Sequence, residues 1–293
     1  MTRLVGLYRE TELSPGRHRS NDAVLLEQVA VTLRTRGFAV DLMTADDAAT
    51  ARPQAELVFS MCQGRRALDF LIRWEKEGAR LVNSPRASLN TYRDRLPVLM
   101  QEAGIPFPPT TLIATTESAI AQPAFPVFND VNGGVWLKRG DVHASVSADV
   151  QWVDSLDGLH AGLRDFADRG VRRAAVQHHR PGDEIKFYGV SGGGFFYWFY
   201  PKDADAGVPR HQFDQARLHK VAAAAAAAAG LDIFGGDVIV APGGGLTVID
   251  LNDWPSFAPC RDQAAEAIAV HLMRRVDANW NPSLVSSANE SAV

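Results

Sequence analysis

Gly230-Leu-Asp-Ile-Phe-Gly-Gly-Asp237-Val-Ile-Val240-Ala-Pro242-Gly-Gly-Gly245-Leu-Thr-Val-Ile-Asp250-Leu-Asn252-Asp253 is the stretch that decides how this chain folds. Two apolar, β-branched runs flank Pro242-Gly-Gly-Gly245, the pattern of a β-hairpin. Asp250 and Asn252 are two apart, so on a strand they project from one face. Asp237 lies in the partner strand, where pairing can bring it beside them. A solvated hairpin would place these oxygens outward, but Val-Ile-Asp-Leu-Asn reads as a core strand, not an alternating surface one. Carboxylate and carbonyl oxygens converging from adjacent strands form a hard-cation site, suited to Mg²⁺ that carries substrate phosphates.

Working outward, a helix is expected from about 213 to 229; its alanine run favours helix over disorder. Upstream, Glu184–Val190 and Phe195–Tyr200 pair through Ser191-Gly-Gly-Gly194, after the turn Pro181-Gly182-Asp183. Strands are expected at Val135–Lys138 and Ala174–His178, with a helix at Leu156–Asp168 between them. Arg261–Arg275 is a final amphipathic helix, and the polar tail from Asn281 is expected to be mobile. The chain opens differently. Leu4–Tyr8, Phe38–Met43, Leu57–Met61 and Arg80–Val82 read as strands, alternating with helices at Asp22–Arg36 and Ala67–Glu77. That alternation means a mainly parallel sheet, with ligands gathering at its carboxyl rim. The arginine-bearing loops 14–20 and 61–66 lie on that rim, where they suit an anionic substrate, although loop arginines are more often only solvated. A helix through Arg93-Asp94-Arg95 to Gly104 and the proline cluster Ile105-Pro-Phe-Pro-Pro-Thr110 separate this lobe from the rest. The expected units are 1–82, a linking segment 83–110, a small lobe 111–182, a large lobe 183–278 and a tail 279–293.

Composition bounds the function. The chain has 293 residues, 46% of them hydrophobic, and a net charge of −4, enough for a core in each of several lobes. Without a basic stripe, nucleic acid is not an expected partner. Cys62 and Cys260 are the two cysteines and have no CxxC spacing, which points to a reduced compartment. The N-terminus lacks a signal-peptide core, and no apolar run reaches membrane-spanning length. A cytoplasmic protein that does not contact the membrane is the expectation.

The order of parts now becomes informative. Asn83-Ser, Arg93-Asp94-Arg95, Gly104-Ile-Pro-Phe-Pro-Pro-Thr, Trp136-Leu-Lys138, Val176-Gln177, Pro181-Gly182-Asp183-Glu184-Ile-Lys186 and Asp237…Asp250-Leu-Asn252 resemble the ATP-grasp superfamily. The likeness is to ligases of the ribosomal-protein-S6-modification and glutathione-synthetase type, and it runs from about Asn83 to Phe257. It implies an α/β ATP-grasp fold: a Rossmann-like first lobe and two α+β lobes that sandwich ATP. By that resemblance Lys138 contacts the nucleotide phosphates and Arg95 supplies a second cation, where a lysine is usual. Val176, Gln177 and His178 would form the adenine hinge, Glu184 a ribose or metal-shell contact, and Lys186 a contact to the transferred phosphate. Asp237, Asp250 and Asn252 match the Mg²⁺ ligands, for one or two ions, with Mn²⁺ as a substitute. Dimers are common among such relatives, so a homodimer is compatible with the likeness.

Two departures stand out. The glycine-rich loop usual after the small-lobe lysine is replaced by Arg139-Gly-Asp-Val-His143-Ala-Ser, so His143 or Arg139 is the expected phosphate cover. After Asn252 comes Asp253-Trp-Pro-Ser-Phe-Ala-Pro-Cys260-Arg261 in place of a Pro-Gly turn, which brings Trp254, Ser256 and Arg261 forward as acceptor-site residues. Plain packing of Trp254 is an equal alternative.

Other motifs carry less. Gly189-Val-Ser191-Gly-Gly193 matches the serine-hydrolase pattern but precedes an evident strand, so it reads as a hairpin turn. His178 and His179, adjacent on a strand, would point to opposite faces and share no metal. Cys62 has no neighbouring base and reads as an incidental thiol. The expected reaction is a ligation, in which ATP and Mg²⁺ join a small-molecule carboxylate to an amine through an acyl phosphate. Lys186, Arg95 and Arg261 are its candidate catalytic residues. Phosphorylation of a hydroxyl, as in ATP-grasp inositol phosphate kinases, is the alternative. A binder without turnover is a third class, which the complete Asp237, Asp250, Asn252 set disfavours.

Overall fold

The structure is a computed structural model that describes residues 1–14, 17–116, 134–141, 146–192, 194–201 and 210–277, with the backbone alone for 17–20. Three four-stranded sheets organise the described residues. The first lobe runs β1 (Arg3–Leu7), α1 (Arg17–Thr35), β2 (Ala39–Met43), α2 (Ala45–Ala51), β3 (Leu57–Ser60), α3 (Arg65–Lys76) and β4 (Leu81–Val82). Its strands are parallel in the order β2-β1-β3-β4. Leu4, Val5, Leu57, Val58 and Phe59 are all buried, as a parallel sheet covered on both faces requires. Two details differ from expectation. Helix α1 starts at Arg17 rather than Asp22. Helix α2 is additional; Thr44 caps it by accepting from the Asp47 N–H, with Asp46 and Asp47 in its first turn.

The single helix expected before Gly104 is two, α4 (Pro85–Asn90) and α5 (Leu96–Glu102). Ser84 caps α4, and a proline in the first turn of α5 restarts the helix after a turn at 91–95. That break decides which arginine faces inward.

The small lobe comprises β5 (Thr110–Ala114), β6 (Val135–Arg139), β7 (Val150–Val153), α6 (Leu156–Asp168) and β8 (Arg173–His178). The sheet is antiparallel in the order β5-β8-β6-β7. Val135, Leu137 and Val176 pack with Leu159, Leu163 and Phe166 of α6. By the two-residue period, Trp136, Lys138 and Gln177 therefore face the other way.

The large lobe comprises β9 (Asp183–Val190), β10 (Phe195–Phe199), α7 (Gln215–Ala229), β11 (Ile233–Val240), β12 (Leu246–Asp253) and α8 (Arg261–Val276). Its antiparallel order is β10-β9-β11-β12. Asp214 caps α7 by accepting from the N–H groups of Ala216 and Arg217, and Gly230 ends it at φ 78°. The alanines are helical, and Ala222, Ala225, Ala226 and Ala229 pack with Val248 and Leu251 of β12. At the other end of the sheet, Val190 and Ile233 join α1 and α8 in a core shared with the first lobe. The β11–β12 turn closes with the Ala241 N–H donating to the Gly245 carbonyl at 2.8 Å, over Gly243 and Gly244 at φ 90° and 80°. Ser191 sits in the β9–β10 turn and donates to the Leu231 carbonyl, so it forms no nucleophile elbow. Among the described residues no helix is long and apolar enough to cross a membrane.

Candidate active site

The antiparallel register of the large-lobe sheet assembles one row of charge. Lys186, Asp237 and Asp250 are direct cross-strand partners on β9, β11 and β12. Lys186 Nζ lies 2.8 Å from Asp237 Oδ1 and 3.3 Å from Glu184 Oε1, two residues back on the same face. The next row holds Tyr188, Gly235 and Asn252. Gly235 is required there, because a Cβ would fall 2.8 Å from the Tyr188 ring and 2.8 Å from Pro255. A β-bulge interrupts β12: Asp237 opposes Asp250 while Val238 opposes Val248, leaving Ile249 as the extra residue. Ile249 and Asp250 consequently both line the same cavity, and the Ile249 carbonyl is freed for contacts outside the ladder.

The small-lobe sheet faces that row. Lys138 Nζ donates to Gln177 Oε1 at 2.7 Å and approaches the Ile249 carbonyl at 3.5 Å, while Gln177 Nε2 donates to the same carbonyl at 3.3 Å. The two sheets enclose a cavity of about 580 Å³. Trp136 and His179 stand at one end, their side chains joined by a hydrogen bond from Trp136 Nε1 to His179 Nδ1 at 3.2 Å. Trp152 packs edge-on against both rings.

A third side is closed by Arg93, from the turn between α4 and α5. Its Nη2 lies 2.5 Å from Asp250 Oδ2, while its Nε and Nη1 are buried with no hydrogen-bond partner. These environments move the ionisation equilibria apart. Burial pushes the Lys138 ammonium down to about 8, with Asp250 opposing and Arg93 reinforcing that shift. Burial also acts on Lys186, but Asp237 and Glu184 outweigh it and hold this ammonium above its usual range. Burial raises the Asp237 carboxyl, an effect that Lys186 offsets in part and Asp250 adds to.

The donor set bears on the metal. Among the described residues no group of three His, Cys, Asp or Glu side chains is placed to hold an ion. Asp237, Asp250 and Asn252 supply two carboxylates and one amide carbonyl, all on one cavity wall. That is a poor cage for Ca²⁺ or Zn²⁺ but fits Mg²⁺, which takes one or two carboxylates together with waters and substrate phosphates.

Several expectations need correction. Arg95 is exposed at the start of α5 and does not line the cavity; the broken helix turns Arg93 inward instead. Val176 is a core residue of the small lobe, and its strand is flanked by β5 and β6, so neither its side chain nor its ladder-bonded backbone is available to a base. Gln177 serves through its side chain. The wall continues past the strand end through His178, His179, Arg180 and Gly182. Both histidines line the cavity, because the alternation expected of them ends with β8. Arg139 points to the opposite face of β6 from Lys138 and pairs with Asp141 and Asp149, away from any phosphate position. His143 lies outside the described residues. Arg261 donates to Asn21 Oδ1 at 2.8 Å, tying α8 to α1, and does not line the cavity.

Neighbouring groups prove structural. Trp254 is fully buried and stacks on Phe59. Asp253 faces the core, accepts from Asn83 and Ser88, and is raised to about 6 by burial, which those hydrogen bonds offset in part. The Cys62 thiol is buried against the Tyr8 carbonyl and pushed up to about 12 by that burial, which leaves it inert as a nucleophile.

No family model matches the sequence, and no curated protein is significantly similar to it. Solved structures are similar in fold. D-alanine–D-alanine ligase from Bacillus anthracis, in complex with ATP, superposes with a TM-score of 0.72 at 12% identity, covering 96% of this chain and all of that one. A RimK-domain ATP-grasp protein from Sphaerobacter thermophilus gives 0.67 at 18% identity, covering 92% and 99%. The ATP-grasp ligase PsnB, complexed with a minimal precursor, gives 0.64 at 17% identity, covering 94% and 99%.

Proposed function

Starting from a chain with the ATP-grasp fold, we propose an ATP- and Mg²⁺-dependent ligase that joins a small-molecule carboxylate to an amine, releasing ADP and phosphate. One observation carries this reading: Lys138 and Lys186 on two facing sheets, with Arg93 from the turn between α4 and α5, surround the same cavity of about 580 Å³ as Asp237, Asp250 and Asn252. Three cations suit a triphosphate, and the acidic row suits the ion that accompanies it. All three solved structures named above are ATP-grasp or ligase structures, and the Bacillus anthracis D-alanine ligase is complexed with ATP, which supports the nucleotide assignment.

The residues divide the work. Lys138, on the small-lobe sheet, contacts phosphates and fixes the nucleotide; the chain after β8 and the Trp136 end of the cavity receive the base. Lys186, paired with Asp237 and Glu184, stays protonated and faces the phosphoryl group in transfer. Asp237, Asp250 and Asn252 would hold Mg²⁺, which neutralises charge on the phosphates. The acceptor carboxylate attacks the γ-phosphorus and ADP departs. The amine nitrogen then attacks the acyl carbon, losing a proton as phosphate leaves. Closure between the two sheets keeps water from the acyl phosphate.

Mass spectrometry of a metabolite extract incubated with enzyme, Mg²⁺ and ATP, against an Asp250→Asn control, tests this. Two metabolites joined with loss of water, alongside ADP and free phosphate, is the expected result. A metabolite that gains one phosphoryl group, with ADP but no matching free phosphate, would make the enzyme a kinase.

A further inference from the structure

Both carboxylates of the candidate metal row are already engaged. Asp250 is bound by Arg93 at 2.5 Å and Asp237 by Lys186 at 2.8 Å. The cavity wall carries Glu184, Asp237 and Asp250 against Lys138, Lys186 and Arg93, with the exposed Arg180 at its mouth. A lone divalent cation must therefore bind against, or displace, the cation that each carboxylate already holds in a mostly buried site, which is costly. The further side-chain donors on the wall are the Asn252 amide carbonyl and the exposed Glu184, itself paired with Lys186, so the ion gains few ligands to offset that cost. A triphosphate changes the balance. Arg93 presents a second edge, Nε and Nη1, buried and without partners, ready to donate to phosphate oxygens. Lys186, freed from Asp237, can do the same. Each cation then exchanges a carboxylate for a phosphate, and the released carboxylates meet an ion that shares those phosphates.

We propose that Arg93 and Lys186 are built-in counter-cations that close the metal site until a nucleotide takes them over, so that divalent cation and nucleotide bind as a coupled pair. This rests on the nucleotide-binding part of the reading above and is independent of which acceptor is used.

The test is binding, not turnover. Mn²⁺ is titrated into the protein by electron paramagnetic resonance, alone and with the non-hydrolysable analogue AMP-PNP, after subtracting binding to AMP-PNP in solution. In the unsubstituted protein AMP-PNP is expected to tighten Mn²⁺ on the order of a hundredfold, the upper end of ordinary coupling, and Mn²⁺ to tighten AMP-PNP equally. Arg93→Met is expected to tighten Mn²⁺ alone by about tenfold or more and to shrink the coupling by the same factor. Arg93→Lys, which keeps a cation beside Asp250, is expected to retain most of it. If Arg93→Met does not fold, Lys186→Met gives the same reading through Asp237. Mn²⁺ binding that is equally tight with and without AMP-PNP, or unchanged in the Met variants, overturns the proposal while leaving the ligase reading intact. Failure of AMP-PNP to bind the unsubstituted protein under any condition overturns both.

Discussion

Lys138 and Lys186 stand on opposite walls of one cavity, and their surroundings push them in opposite directions. Lys138 lies under the small-lobe sheet with an amide, a carbonyl and an arginine nearby, and among the described residues no carboxylate within hydrogen-bonding distance. Lys186 sits between two carboxylates on the large-lobe sheet. The first is an ammonium deprived of solvent, with its compensation missing until an anion arrives. The second has its compensation built in. A cavity with both kinds can bind a polyanion with one and hold charge steady during transfer with the other. The same asymmetry extends to the sheets: among the described residues the small-lobe wall contributes no carboxylate to the cavity, while the large-lobe wall contributes Glu184, Asp237 and Asp250.

The largest break in that comparison comes from the large-lobe row. Asp250→Asn keeps the size of the side chain and an oxygen for Arg93, so the fold should survive with a melting temperature within a few degrees. Turnover, read as phosphate release, is expected to fall roughly a thousandfold, equivalent to about 4 kcal/mol of transition-state stabilisation. Retention of more than about a tenth of the activity would remove the metal assignment from this row.

Next in size is Lys138→Met. Nucleotide affinity, by titration calorimetry, should fall about tenfold to a hundredfold, the scale of one charge-assisted contact to phosphate. The unliganded protein should gain roughly 1–3 kcal/mol of stability at pH 7, because a buried ammonium without a carboxylate partner is replaced by an apolar stem. Lys186→Met should do the reverse, lowering stability by stranding Asp237 and slowing turnover more than it weakens nucleotide binding. Equal effects from both substitutions would show that the two walls are not differentiated.

pH sharpens the same contrast. Lys138 has a folded value of about 8 against an ordinary value of 10.5. Between those values the unfolded chain binds the proton more tightly, so stability should rise with pH across that window. Below pH 8 the cost of the buried charge is fully present, about 3 kcal/mol at most for this shift. Lys138→Met should flatten that rise in denaturant titrations at pH 7.5 to 9.5. Nucleotide affinity of the unsubstituted protein should weaken as pH climbs past 8, where the free enzyme loses the Lys138 proton. A pH-independent affinity over that range would mean Lys138 does not contact the phosphates.

How far the sequence carried this reading differs by wall. The large-lobe row was legible because it follows a two-residue period on recognisable strands: Glu184 and Lys186, then Asp250 and Asn252, each share a face. The register that sets Lys186, Asp237 and Asp250 abreast depends on pairing between distant segments, and the bulge at Ile249 leaves no local signature. Arg93 was missed for a physical reason. An expected continuous helix gives no register by which to choose between Arg93 and Arg95, and the turn at 91–95 before the restart at Leu96-Pro97 buries Arg93 and exposes Arg95. The proline was the available signal. Val176 was misassigned because a strand flanked on both sides has no free backbone edge, and neighbours are a property of the sheet, not of the residue. Arg261 followed from position after Asn252, whereas the fold directs it to Asn21 on α1.

Glu184→Gln carries the smallest expected effect and is the most exacting test of the built-in compensation at Lys186. Glu184 is exposed, lies 3.3 Å from Lys186, and is the weaker of its two partners, since Asp237 is closer at 2.8 Å and more buried. Removing one exposed carboxylate should cost at most about 0.5 kcal/mol of stability, in the range of surface ion pairs. Lys186 keeps Asp237 and therefore its charge, so turnover should change by no more than about threefold. The nearby Arg93–Asp250 pair is untouched, and nucleotide affinity should move within the same limits. A loss of turnover comparable to that of Asp250→Asn would show that Glu184 itself holds the ion or the ribose. The acidic row would then extend one strand further, and the charge balance between the two walls would have to be redrawn around three carboxylates in place of two.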